Sequence, residues 1–164
     1  MLKIAAVVAT GGTGAAIDLY TRRVPNALTL SVAALGIIVA AIGIGDVTPQ
    51  AALLGFLTGL VVMLPGHLLG GTGGGDVKLM AALGSWLGPS MIVTAFLYSA
   101  IAGGALALVV AVQRNRLGPT VRGVGRLIAA PVSARPDVTA TGADNRFPYA
   151  PAIAAGSLLA VLGF

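Results

Sequence analysis

The sequence predicts an all-α, polytopic membrane protein, with about six transmembrane helices in a single domain (residues 1–164) and the N-terminus outside. Three observations carry this prediction. Of 164 residues, 57% are hydrophobic and only 9% charged, with a mean hydropathy of +0.96; a soluble domain carries roughly 25% charged residues. The apolar runs are long and do not alternate, unlike the ~10-residue alternating strands of an outer-membrane barrel. Nine of the ten basic residues fall on one side of the membrane when the runs are threaded as six spans.

The first segment runs from about Leu2 to Leu19. Lys3 ahead of an apolar stretch resembles a signal peptide, but further apolar segments follow, so it reads as a span. Pro25 restricts Val24 and stops the helix, and Asn26 is placed to cap the next one. Segment two covers about Ala27 to Gly45, and Asp46, Thr48 and Pro49 make a short turn. Segment three covers about Gln50 to Leu69 and contains Pro65. A glycine run, Gly70-Gly71-Thr72-Gly73-Gly74-Gly75, then leads into Asp76. Segment four, from Asp76 to Gly88, covers only ~20 Å at ~1.5 Å per residue, short of a ~30 Å hydrocarbon core. It is tilted, extended into the glycine run, or partly re-entrant. Segment five covers about Met91 to Val112. A polar, Arg-rich stretch (about 113–146) follows, and segment six covers about Pro148 to Phe164.

Arg22 and Arg23, Lys78, and Arg114, Arg116, Arg122, Arg126, Arg135 and Arg146 all fall on the cytoplasmic side, leaving Lys3 outside. The net charge of +5 is therefore a topology signal, with acidic lipid as a second reading and no nucleic-acid partner expected. The long basic loop is either functional or disordered, and residues 119–130 could form a short basic helix on the membrane. With no cysteine and one histidine, no metal site and no cofactor are expected.

All five acidic residues are aspartates. The threading puts Asp18, closing a helix that runs in, and Asp76, opening a helix that runs out, at the same face. Asp46 falls on the opposite face. An aspartate in such a setting needs water, a partner or a task. Two close carboxylates share a proton. The ionised one can take a proton from water attacking a peptide carbonyl, and the protonated one can donate to the carbonyl oxygen and then to the leaving amine. That is aspartic-protease chemistry. The bland reading also stands at this point: Asp18 pairs with Arg22 at i,i+4 and Asp76 caps segment four.

Three stretches narrow the choice. Gly73-Gly74-Gly75-Asp76-Val77-Lys78-Leu79 resembles the GxGD signature of the type IV prepilin peptidases. The run from Asp18 to Arg23-Val24-Pro25-Asn26 is similar to that family's first catalytic aspartate and the Arg-Pro-Asn pattern after it. Pro148 to Gly156 resembles the start of its last helix. The order matches, and Thr72 departs from a frequent methionine. The resemblance implies a membrane aspartic endopeptidase that cuts the basic leader from prepilins at the cytoplasmic face of the cell membrane, with Asp18 and Asp76 catalytic. Larger members carry a four-cysteine zinc extension and methylate the new N-terminus. This cysteine-free chain is similar instead to the short peptidases of tight-adherence (Flp) pili. Archaeal preflagellin peptidases form a nearby branch. A transporter or a structural pilus subunit using the same aspartates is the rival class.

The expected partners are a prepilin and the lipid bilayer. Gly73, Gly74 and Gly75 would let an extended substrate approach the backbone, with Lys78, Arg23, Pro25 and Asn26 around them. Lys78 snorkels to the interface or holds an aspartate ionised. His67 is an idle interfacial histidine, a proton relay or a substrate contact. Gly55 and Gly59, and Gly84 and Gly88, suit close packing within the bundle. Trp86 and Tyr98 read as packing or interfacial anchors.

Overall fold

A computed structural model describes residues 1–21, 24–69, 71–113 and 149–163. Among these the chain is entirely helix and connection, as expected. The helices are α1 (Leu2–Thr21), α2 (Asn26–Ala41), α3 (Pro49–Leu68), α4 (Gly74–Leu87), α5 (Pro89–Gln113) and α6 (Ala150–Leu162). The basic loop with its proposed membrane helix, and both Arg22 and Arg23, lie outside the described residues. Three helices are long and apolar enough to cross a membrane: α1, α3 and the Pro89–Val109 part of α5. α2 and α6 are shorter apolar helices. The protein is an integral membrane protein.

The helix ends follow local chemistry. Thr48 accepts a hydrogen bond from the Ala51 amide at 3.2 Å and starts α3, with Pro49 in its first turn. Gly88, at φ +79°, ends α4 in a conformation that suits glycine, and Pro89 opens α5 immediately after it. α2 stops at Ala41 rather than near Gly45, because Gly43 turns the chain at φ +71°. Asn26 does not cap α2. Pro25 holds the N-cap position with extended backbone and no side-chain bond, which leaves the Asn26 amide for another partner.

Short α4 is the centre of the bundle. It touches every other helix, and most of its residues are buried, from Asp76 through Leu87. A helix enclosed by protein does not have to match the thickness of the hydrocarbon, so its 14 residues suffice. Lipid offers no hydrophobic drive for helix association, so small residues that permit close packing do that job. Gly55 and Gly84 face each other with backbone against backbone. A Cβ on Gly59 would lie 2.6 Å from the Met80 carbonyl oxygen. Gly36 of α2 admits Ser85 and Trp86, and the Trp86 indole donates to the Val32 carbonyl at 3.0 Å. Large side chains such as Leu57, Leu97 and Ile101 point outward, where lipid would receive them.

Lys3 at the start of α1 lies 4.0 Å from Asp46 in the α2–α3 turn. Asp46 is largely exposed, so the pair adds little stability. Its value is positional, since it puts Asp46 at the end of the bundle opposite Asp18.

Candidate active site

The other end of the bundle gathers the ends of α1, α3, α4 and α6. Asp18, in the last turn of α1, is 7% exposed, and Asp76, in the first turn of α4, is 8% exposed. Their charges act directly on one another. The structure thus gathers at one end of the bundle the two aspartates that threading assigns to one face.

Each carboxylate is oriented by a backbone amide. Asp76 accepts the Gly73 N–H at 3.1 Å, the half of a capping box that a glycine N-cap allows, and its own N–H donates to the Gly73 carbonyl. Asp18 accepts the Ala150 N–H at 3.3 Å, across 132 residues of sequence. Ala150 opens α6, where amides lack helical partners and the helix dipole favours a negative charge. The capping role and a chemical role of Asp76 are thus compatible: one oxygen is held by the Gly73 N–H, and the other is not used by the cap.

The start of α6 is itself held. The Tyr149 ring sits against Gly103, where any Cβ would collide with it, and its hydroxyl donates to the Ser99 carbonyl at 3.3 Å. Tyr149 and the Ala150 amide are components that residue type alone does not reveal. A backbone N–H carries no sequence signal, and only the likeness of residues 148–156 to a last-helix start pointed to this segment.

The glycine run meets the connection between α1 and α2. A Cβ on Gly75 would come within 3.1 Å of the Val24 side chain and 3.3 Å of its nitrogen, so glycine lets that connection lie closely on the start of α4. Lys78 is exposed and donates to the Asn26 side-chain oxygen at 2.9 Å. Its ammonium thus joins α4 to α2, a third outcome beside snorkelling and holding an aspartate ionised. Pro25 sits between these two contacts. Arg23 is outside the described residues.

On the α3 side, the Gly66 carbonyl accepts the amides of Gly71 at 2.9 Å and Thr72 at 3.3 Å. This folds the chain back over the end of α3. It brings the Thr72 carbonyl to the His67 ring, 3.0 Å from Nδ1. His67 is exposed but not idle. The Thr72 hydroxyl has no hydrogen-bond partner; its backbone makes the contact.

Residues 5–108 match the type IV leader peptidase family, a span that includes both aspartates. A prepilin leader peptidase/N-methyltransferase of Neisseria gonorrhoeae is 36% identical over 122 residues, covering 68% of this chain and 42% of that protein. A protein of the same name from Bacillus subtilis (strain 168) is 37% identical over 111 residues, covering 68% and 34%. The chain therefore spans well under half the length of these curated relatives. No solved structure matches it.

Proposed function

The chain belongs to the type IV leader peptidase family, and from that premise we propose that it is an aspartic endopeptidase that removes the leader of prepilin-like precursors. The observation that carries the proposal is the presence of two buried carboxylates, Asp18 and Asp76, near one another at one end of the bundle. One carboxylate is ionised and takes a proton from water as its oxygen bonds to the scissile carbonyl carbon. The other is protonated and donates to the carbonyl oxygen. When the carbon–nitrogen bond breaks, the amine leaves with a proton from the pair. The Gly73 and Ala150 amides hold the two carboxylates in register for this exchange.

The substrate would place its basic leader in the cytoplasm and its apolar helix in the cell membrane, with the scissile bond at the boundary. The charge threading supports a cytoplasmic site. The Lys3–Asp46 contact fits the same threading, because it lies at the end of the bundle opposite the site. The proposed substrate class is the tight-adherence (Flp) prepilin, on the resemblance set out above.

The test uses the purified protein in lipid nanodiscs and a synthetic precursor with a basic leader joined to an apolar segment of ~20 residues. Mass spectrometry should find one cut, at the junction between the two. An intact precursor across a panel of pilin leaders would contradict the proposal.

A further inference from the structure

The chain has one histidine, and it touches the loop that presents Asp76. His67 lies in the last turn of α3, with Nδ1 3.0 Å from the Thr72 carbonyl oxygen. A carbonyl oxygen can only accept, so Nδ1 carries the hydrogen and donates. The acceptor belongs to the peptide group that joins Thr72 to Gly73. The N–H of that same peptide donates to Asp76 Oδ2 at 3.1 Å. One rigid, planar unit thus receives a hydrogen bond at one end and gives one at the other.

We infer that His67 is a positioning residue for Asp76, acting through the Thr72–Gly73 peptide. The inference rests on the reading of Asp76 as a catalytic residue. Without an anchor, a peptide in a glycine-rich loop has many orientations open to it. The His67 donor selects the one in which the Gly73 N–H faces the carboxylate. It also polarises the peptide, because hydrogen bonds in a chain strengthen one another. The ring lies along the loop as well, since a Cβ on Gly74 would make ordinary contact with His67 Cε1 at 3.5 Å. The contact uses the backbone of residue 72 and is therefore indifferent to that side chain.

Three variants test this: His67→Ala, His67→Asn and His67→Gln. Asparagine can place an N–H donor near the position of Nδ1, whereas glutamine places it about one bond farther out. With His67→Ala, kcat for precursor cleavage should fall roughly three- to tenfold, the range expected for one lost hydrogen bond, while KM stays within about twofold. His67→Asn should restore most of kcat and His67→Gln should not. Isotope-edited NMR of the Thr72–Gly73 peptide supplies a readout independent of turnover. The Gly73 amide proton should shift upfield in His67→Ala and return in His67→Asn. An unmoved Gly73 amide, or wild-type kcat in His67→Ala, overturns the inference. If wild type itself cleaves nothing, the proposed function fails instead, and the Gly73 shift still decides whether His67 holds the loop.

Discussion

Asparagine in place of Asp18 or of Asp76 should each lower the cleavage rate by about a thousandfold or more, since each carboxyl supplies a general acid or base step worth ~10²–10⁴. The fold should survive both changes. In Asp76→Asn the side-chain amide oxygen can still accept the Gly73 N–H, and in Asp18→Asn it can still accept the Ala150 N–H. What is lost is the ability to exchange a proton. Precursor cleavage at matched protein levels, with thermal unfolding as the control, checks both halves. The result also separates an enzyme from a structural subunit, which would tolerate the pair of substitutions.

Gly84→Val should abolish the fold rather than the chemistry. Any Cβ at position 84 would strike the Gly55 carbonyl oxygen and approach its carbon to 2.6 Å. The obstacle is backbone on an adjoining helix, so no rotamer change relieves it. Overpacking typically costs about 1–3 kcal/mol where side chains can adjust. Here α3 and α4 must separate, so the cost should lie at or above the top of that range. α4 carries Asp76, and activity should fall with stability. The expected result is a protein that is degraded or aggregates on extraction. By contrast, a Cβ at Gly104 of α5 would meet nothing within 4 Å, so Gly104→Ala should behave as wild type.

That Asp18 and Asp76 lie at the same end of the bundle was legible because charge threading fixes which helix ends share a face, and that needs no side-chain detail. The close packing at Gly55, Gly59 and Gly84 was legible for the same kind of reason, since small residues mark a helix face that admits a neighbour; Gly88, paired with Gly84 by spacing, instead lies past the end of α4 and turns the chain at φ +79°. The central position of α4 was not. In lipid, buried and exposed faces are both apolar, so periodicity does not say which helix is enclosed. α4 read only as too short. Asn26 read as a cap by residue type, but Pro25 already supplies the extended N-cap backbone, and the amide goes to Lys78. Lys78 itself could not be placed from sequence spacing, since its partner lies 52 residues away. The contacts of His67 with Thr72 and of Asp18 with Ala150 use backbone atoms on the other side, which leave no trace in residue identity.

The pH dependence of kcat/KM for the wild-type protein tests the central claim, that two carboxyls share one proton and act as acid and base together. At low pH both are protonated and no base remains; at high pH both are ionised and no acid remains. The predicted profile is therefore a bell, falling on both sides with limbs that belong to the pair. A rate that holds level at either end of the range, with the protein still folded, would contradict it.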